Sequence, residues 1–143
     1  VYLCGNGASA SMASHFATDL AKNGKVRTQI FTDLSLVTAI GNDLSFDSIF
    51  SEPLSWLCRP DELVIAISSS GNSPNVVCAV EKALEMGCKV VTLSAFDANN
   101  KIRKLGNLNF YVPVRTYGLA ETTHAAILHC WMDLIERSVM EHC

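Results

Sequence analysis

The chain has 143 residues, 49% of them hydrophobic, with a formal net charge of -3 at pH 7. A chain of this length buries about two-thirds of its unfolded surface, so we predict a single domain over residues 1–143. The acidic balance and the lack of a basic cluster argue against nucleic-acid binding, and no apolar run approaches the roughly 18 residues of a membrane span.

The six cysteines are scattered along the chain without CxxC spacing, and several lie inside apolar runs. This pattern is typical of buried thiols in a reducing compartment, and it differs from a disulfide framework or a structural zinc site. We therefore predict a cytoplasmic protein with no membrane partner.

The opening residues VYLC predict a strand, and the turn GNGAS leads into a helix over residues 10–22. His15 and Asp19 are four residues apart on this helix, so they lie one turn from each other on one face. A histidine and a carboxylate at this spacing could bind a metal ion or act as an acid/base pair. The spacing by itself favours an ordinary surface pair.

The next elements are a strand, VRTQIF, and a helix, LSLVTAIGND, that we expect to break at Gly41. Residues 46–57 again have apolar residues at helical spacing. Asn42 and Asp43 lie between these two helices, where such residues most often cap a helix or form a turn.

The central stretch, residues 63–87, begins with LVIAI, which reads as a strand buried on both faces. The loop SSSGNS follows, with Ser73 as the expected helix N-cap, and the helix after it ends at Gly87. A strand, a hydroxyl-rich loop and a helix N-terminus together form an arrangement that binds anions. An ordinary serine-capped turn is the alternative, although one cap explains one serine and not four.

The remaining segments predict a strand in CKVVTLS, a short helix at residues 99–105, a strand in LNFYVPV and a long helix over residues 119–142. Alternating strands and helices predict an α/β fold, a three-layer αβα sandwich with a five-stranded parallel sheet of the flavodoxin-like type. Both serine-bearing loops follow strands, so we expect them to share one sheet edge and one ligand. The last helix has these residues available for the core: Ala126, Ile127, Trp131, Leu134 and Ile135.

Three segments, GNGASASMASHF, TAIGND and AISSSGNSPNV, resemble in order and separation the loops of the sugar isomerase (SIS) domain, and within it the phosphoheptose isomerase family. The resemblance runs from residue 2 to about residue 136. It implies conversion of sedoheptulose 7-phosphate to D-glycero-D-manno-heptose 7-phosphate through an enediol, a step towards bacterial heptose for lipopolysaccharide. It also implies a homo-oligomer, a tetramer or a dimer, with active sites between subunits. The family has helices before the first strand, and this sequence opens without them, as expected of a trimmed chain.

Carried over position by position, the resemblance implies zinc as a candidate metal and a general acid/base pair of Asp19 and His129. Family members commonly have Glu in place of Asp19, often Gln in place of Glu121 and often Asp in place of Gly118. The implied metal ligands are His15, Asp19, Glu121 and His129. The implied contacts to the phosphorylated sugar are Asn6, Gly7, Ser9, Asn42, Asp43, Ser68, Ser69, Ser70, Ser73 and Glu121.

One difficulty concerns the ligand set. On one regular helix Glu121 and His129 would be about 12 Å apart along the axis, so either the helix begins after Glu121 or one ligand crosses a subunit boundary. His124 is a rival to His129, and otherwise a polar surface histidine.

Two alternatives to a heptose isomerase are a non-catalytic SIS module that senses a phosphosugar or docks a protein, and a different phosphosugar isomerase of the same superfamily. The joint presence of His15, Asp19 and His129 favours an enzyme.

Overall fold

A computed structural model describes residues 1–141; His142, to which we assign no role, and Cys143 lie outside the described residues. Five parallel strands form one sheet in the order β2-β1-β3-β4-β5, which confirms the predicted sheet. The strands are β1 (Tyr2–Gly5), β2 (Gln29–Ile30), β3 (Leu63–Ser68), β4 (Lys89–Ala95) and β5 (Leu108–Val112).

Helices cover both faces of this sheet, because side chains along each strand alternate between the two sides. On β3, Val64 and Ala66 pack in one apolar cluster with the helices of residues 34–105, whereas Ile65 and Ile67 pack in another with the first and last helices. The three-layer αβα architecture predicted from the sequence is therefore confirmed. The helices are α1 (Ala8–Lys22), α2 (Leu34–Asp43), α3 (Ser51–Leu57), α4 (Pro74–Glu85), α5 (Lys101–Leu105) and α6 (Tyr117–Glu141).

Within residues 1–141, none of the helices is both long enough and apolar enough to pass through a lipid bilayer.

The register of the central strands positions the two serine-bearing loops. Gly5, the last residue of β1, pairs with Ile67, and Ser68 at the end of β3 pairs with Ser94 of β4. The loop after β1 and the loop after β3 therefore leave the sheet side by side at its carboxyl edge, where ligands of open α/β sheets bind.

Three elements differ from the prediction. Strand β2 is only two residues long, because it lies at the sheet edge and pairs with Tyr2 and Leu3 of β1 alone. Helix α2 continues through Gly41 to its end at Asp43. Residues 46–57 divide into a short 3-10 turn and α3, which places Pro53 in the first turn of α3, where its missing N–H leaves no intrahelical bond unmade.

The buried side of α6 also differs from the prediction. Ala126 and Leu134 were expected in the core, but both are exposed, Leu134 at 57%. Ile127, Trp131 and Ile135 are partly buried against the cluster that contains α1. The buried stripe instead consists of residues spaced four apart: Ala120, His124, Leu128 and Met132.

Candidate functional site

Both serine-bearing loops open into one cavity of about 160 Å³ at the carboxyl edge of the sheet. Five hydroxyl-bearing serines from the two loops converge there, together with the start of α6. The residues lining the cavity are Asn6, Ser9, Ile67, Ser68, Ser69, Ser70, Ser73, Tyr117 and Glu121. The structure thus brings Ser9 to the same space as the four serines that follow β3.

The approach of α1 to β3 depends on Gly5. A Cβ atom at this position would lie 2.7 Å from Cβ of Ser9 and 2.9 Å from the carbonyl oxygen of Ile67. Both distances are closer than any real Cβ contact, so a side chain here would push α1 away from the sheet. The missing side chain therefore allows the first turn of α1 to bring Ser9 over the end of β3.

Hydroxyls in the loop after β3 contact one another across a tight turn. The hydroxyl oxygen of Ser68 lies 3.2 Å from that of Ser73 and 3.4 Å from that of Ser70, and it accepts a 3.2 Å bond from the Gly71 amide. The Asn72 amide donates to the Ser70 hydroxyl at 3.2 Å. These contacts gather three hydroxyls beside the N-terminus of α4.

Ser73 occupies the predicted N-cap position of α4, but its side chain makes no capping hydrogen bond. The carbonyl oxygen of Ser73 accepts from the amides of Val76 and Val77, while its hydroxyl faces Ser68. The hydroxyl is therefore not used by its own helix. It lies next to the positive end of the α4 dipole, where an anion would be stabilised.

A pair of amides joins the loop after β1 to the first turn of α4, directly after the serine-bearing loop. Asn6 Nδ2 donates to Asn75 Oδ1 at 2.8 Å, and Asn75 Nδ2 donates back to Asn6 Oδ1 at 2.9 Å. Asn75 is 1% exposed, whereas Asn6 is exposed. Sequence reasoning missed Asn75, and the available signal was an amide on the otherwise apolar face of α4. The bridge holds Asn6 and the loop after β3 in one fixed relation.

Gly71 adopts a left-handed backbone conformation, with φ of +64°, and packs directly on Asn100. A Cβ atom at Gly71 would lie 2.1 Å from Oδ1 of Asn100. Asn100 is 1% exposed and is itself fixed, because its Nδ2 donates to the carbonyl of Asp97 at 2.7 Å and its Oδ1 accepts from the Arg103 amide at 3.0 Å. Contact with Asn100 therefore restrains the loop after β3, which carries the serines.

A second cluster of polar side chains lies between α1 and α6. The Nε2 atom of His15 is 3.3 Å from Oδ2 of Asp19, and the ring centroids of His15 and His129 are 5.4 Å apart. One ligand atom from each of the three residues lies within 4.8 Å of the others. They border a small cavity of about 20 Å³, whose size suits a single ion or water.

The three donors fit zinc by their chemistry. Two imidazole nitrogens and one carboxylate oxygen are ligand types that zinc accepts, and three protein ligands leave a fourth position for water or substrate. The side chain of Asp19 is 18% exposed, so its carboxylate is partly shielded from bulk water. His15, Asp19 and His129 could therefore hold one zinc ion without a large rearrangement.

Glu121, the fourth predicted ligand, is not part of this cluster. Helix α6 is continuous from Tyr117 to Glu141, so Glu121 and His129 are about 12 Å apart along its axis. Glu121 instead lines the cavity that holds the serines.

His124 is neither a surface histidine nor a member of the cluster, in contrast to both roles considered from the sequence. It is fully buried, with its Nε2 atom 3.2 Å from the carbonyl oxygen of Ser94 and no hydrogen-bond partner for Nδ1 among the described residues. Burial lowers the pKa of His124 below its ordinary value, against weaker opposing effects of the Ser94 carbonyl and the Glu121 charge.

Asn42 and Asp43 end α2 and are exposed, and the amide of Asn42 donates to the Asp43 carboxylate at 2.8 Å. Neither lines the serine cavity or the histidine cavity. Gly7 precedes α1 with φ of +55° and is exposed. The structure therefore gathers the five predicted serines with Asn6 and Glu121 around one cavity, but not Gly7, Asn42 or Asp43.

A larger cavity, of about 830 Å³, opens beside the loops that follow β4 and β5. Phe96, Asp97, Tyr111 and Arg115 are among the residues lining it. It lacks the converging serine hydroxyls and the histidine pair. We place the functional site at the serine cavity because chemistry, and not size, distinguishes the two.

Residues 1–95 match the family model described as SIS domain, which agrees with a parallel sheet whose carboxyl edge holds a hydroxyl-lined cavity. The phosphoheptose isomerase of Shewanella sp. (strain ANA-3) is 35% identical over 147 aligned positions, which cover 97% of this chain and 75% of that protein.

Two solved structures of phosphoheptose isomerases have the same fold as this chain. Phosphoheptose isomerase GmhA from Neisseria gonorrhoeae has a TM-score of 0.88 and 36% identity, with 94% of this chain and 75% of that chain covered. A phosphoheptose isomerase from Francisella tularensis has a TM-score of 0.88 and 28% identity, with 95% and 74% covered. The chain belongs to the phosphoheptose isomerase family, which confirms the resemblance seen in its three loops.

Proposed function

We propose that this protein interconverts sedoheptulose 7-phosphate and D-glycero-D-manno-heptose 7-phosphate. The main observation in support is that α1 and α6 border both the serine cavity and the histidine cluster. Ser9 at the start of α1 lines the hydroxyl cavity, and His15 and Asp19 lie further along the same helix. Six residues of helix place His15 about 9 Å along the axis from Ser9. A heptose phosphate has the same two-ended form, with its phosphate at the far end from the reacting carbons.

The phosphate end of the sugar binds in the serine cavity. Hydroxyls of Ser9, Ser68 and Ser73, with Ser69 and Ser70 beside them, donate to phosphate oxygens. The N-terminus of α4 adds the positive end of its dipole. Neutral donors and a helix terminus in place of a cationic side chain suit a chain with a net charge of -3.

The reacting end of the sugar lies toward α6, where Asp19 and His129 act as the acid/base pair. One group removes a proton from C1 of the ketose as O2 gains a proton, which gives the enediol. A proton is then delivered to C2 as O1 loses one, which completes the aldose with no external oxidant or reductant. In a zinc-loaded form, His15, Asp19 and His129 would serve as ligands in place of the acid/base role, and the ion would stabilise negative charge that develops on the substrate oxygens.

A second copy of the chain completes the site in this proposal. Asn42 and Asp43 lie apart from both cavities, and Glu121 lies apart from the histidine cluster. In this proposal a neighbouring subunit supplies the sugar contacts of Asn42 and Asp43 and the metal role of Glu121. Large apolar side chains are exposed on α2, on α3 and in the segment between them, and they offer a surface for such contact. These are Leu34, Leu44, Phe46 and Trp56, with exposed fractions of 75, 61, 60 and 58%. We propose a cytoplasmic homo-oligomer, a dimer or a tetramer, with interfacial active sites.

The test is an isomerase assay of the purified chain with sedoheptulose 7-phosphate, with and without added zinc. We expect turnover in the parent protein and a loss of at least about a hundredfold in Asp19→Ala and in His129→Ala. Asp133→Ala, on the exposed part of α6, is the matched control and should keep parental activity. Turnover that survives both substitutions would contradict the assigned acid/base pair.

A binding measurement tests the phosphate-binding serines separately from the isomerisation step. Ser68→Ala combined with Ser73→Ala should weaken phosphosugar binding at least about a hundredfold, since each lost donor to a charged group costs about 1.5–3 kcal/mol. Ser11→Ala, in the exposed first turn of α1, is the control. Phosphosugar binding by the parent chain without any turnover would favour the sensing module over the enzyme.

A further inference from the structure

Two buried thiols meet at the edge of the sheet opposite to the serine cavity. Cys58 follows the last residue of α3, and Cys88 directly precedes β4. Their sulfur atoms are 2.8 Å apart, and the two residues are 5% and 4% exposed. The described cysteines, Cys4, Cys58, Cys78, Cys88 and Cys130, are all free thiols in this structure.

Main-chain hydrogen bonds hold the two thiols in place. The Asp61 amide donates to the Gly87 carbonyl at 3.0 Å, and the Lys89 amide donates to the Glu62 carbonyl at 2.8 Å. The Cys88 thiol lies 3.3 Å from the Arg59 carbonyl oxygen, to which it donates. The two main-chain bonds tie the turn before β3 to the turn before β4, and this pairing keeps the segments that carry Cys58 and Cys88 side by side.

The sulfur atoms need to approach by only about 0.8 Å to reach the bond length of a disulfide, about 2.05 Å. We propose that Cys58 and Cys88 are a modification site at which the chain forms a reversible intramolecular disulfide.

Hydrogen peroxide is an oxidant that balances this step. One thiol, as its thiolate, attacks a peroxide oxygen; the O–O bond breaks, and a sulfenic acid and one water form. The second sulfur then attacks the sulfenic sulfur, the S–S bond forms, and the hydroxyl leaves as a second water with the remaining thiol proton. Two thiols are oxidised and one peroxide is reduced to two waters.

Burial makes this reaction slow and selective. Desolvation, followed by the neighbouring Cys88 thiol, raises the pKa of Cys58 to about 12, so little thiolate is present at neutral pH. Cys130 is exposed and should react with peroxide before the buried pair does. The buried pair is therefore a site that responds to sustained oxidation.

The bond would close the segment from residue 58 to residue 88, which contains β3, the serine loop and α4. It would form at the amino ends of β3 and β4, whereas the serines lie at the carboxyl ends. We expect oxidation to stabilise the fold while the cavity stays open to its ligand.

The experiment uses Cys130→Ser, which removes the thiol that is exposed within residues 1–141 and leaves the buried pair intact. The protein is incubated with hydrogen peroxide, unreacted thiols are alkylated under denaturing conditions, and proteolytic peptides are identified by mass. We expect a cross-linked peptide pair containing Cys58 and Cys88 that is lost after dithiothreitol. We also expect a melting temperature roughly 5–10 °C higher than that of the reduced protein.

Cys58→Ser and Cys88→Ser in the same background are the matched variants, and neither should show the peptide pair or the peroxide-dependent rise in melting temperature. The inference is overturned if both buried cysteines are recovered alkylated after peroxide treatment. It is equally overturned if they are recovered with added oxygen and unlinked. Both results are read in the protein that retains both thiols, so they do not depend on whether the serine variants fold.

Discussion

The amide bridge between Asn6 and Asn75 gives the sharpest test of how this site is held together. In Asn75→Ala both reciprocal hydrogen bonds are lost, at 2.8 and 2.9 Å, while Asn6 remains exposed and can bond to water. Two neutral hydrogen bonds contribute about 1 kcal/mol each, so we expect the free energy of unfolding to fall by about 2 kcal/mol. A domain of ordinary stability, about 5–15 kcal/mol, remains folded after such a loss.

We expect Asn75→Ala to lower catalytic efficiency as well as stability. The bridge fixes the loop after β1, which leads to Ser9, relative to the loop after β3, which carries the other serines. A displacement of about 1 Å between these loops can cost about a hundredfold in rate, so we expect kcat/KM for sedoheptulose 7-phosphate to fall about 10- to 100-fold.

The measurements are isomerase kinetics, phosphosugar affinity by calorimetry and urea unfolding on the same preparations. Asn99→Ala, at an exposed position, is the matched control and should leave all three unchanged. If Asn75→Ala loses about 2 kcal/mol of stability yet keeps affinity and kcat/KM within about twofold, the bridge supports the fold alone and our reasoning about the site is refuted.

Other substitutions test separate parts of the structure. Gly71→Ala should destabilise the protein by about 3–5 kcal/mol and abolish phosphosugar binding. The added Cβ would displace the buried side chain of Asn100, and the left-handed backbone at this position disfavours alanine. An unchanged urea midpoint would contradict this. Gly118→Ala should stabilise the protein by about 0.4–1 kcal/mol, since a Cβ there meets open space and alanine has fewer conformations than glycine in the unfolded chain. Calorimetric melting checks this, and a lower melting temperature is the opposing result. Because burial lowers the pKa of His124, the unfolded chain binds a proton below about pH 6.5 that the folded chain does not, so stability should fall as the pH drops from about 6.5. His124→Gln should make urea midpoints less dependent on pH in this range, and an identical slope would show that another group is responsible.

Structural features that depend on residues close together in the sequence were predicted most reliably. The strand β3, the serine loop and the start and end of α4 are contiguous, and the apolar run, Pro74 and Gly87 mark their limits locally. Membership of a five-stranded parallel sheet followed from the alternation of strands and helices. These features depend on periodicity and turn chemistry, which a single sequence displays.

Features that depend on long-range contact were not predictable in the same way. Asn75 bonds to a residue 69 positions away, and no local pattern links them. His124 was placed on the surface because histidine is polar, but it lies in a buried stripe with Ala120 and Leu128, which only packing against the sheet defines. The short β2 likewise reflects its place at the sheet edge, where one neighbouring strand limits its length.

The separation of Glu121 from His129 also depended on a feature that the sequence did not show, the position at which α6 begins. Their distance was predictable once α6 was known to be continuous, whereas the start of the helix was not evident from the sequence. The sequence left open a helix that began after Glu121, and the structure shows that it begins at Tyr117.

The choice of hydroxyls to surround the anion has a consequence for the conditions under which the protein works. Attraction between full charges at a surface weakens as dissolved ions accumulate, because the Debye length shrinks to about 8 Å at physiological ionic strength. Serine hydroxyls bind an anion through direct hydrogen bonds of about 3 Å, a range over which screening by dissolved ions is small. Capture of a phosphate ester by the cavity formed by Ser9 and the serines after β3 should accordingly vary little between dilute buffer and a concentrated saline medium.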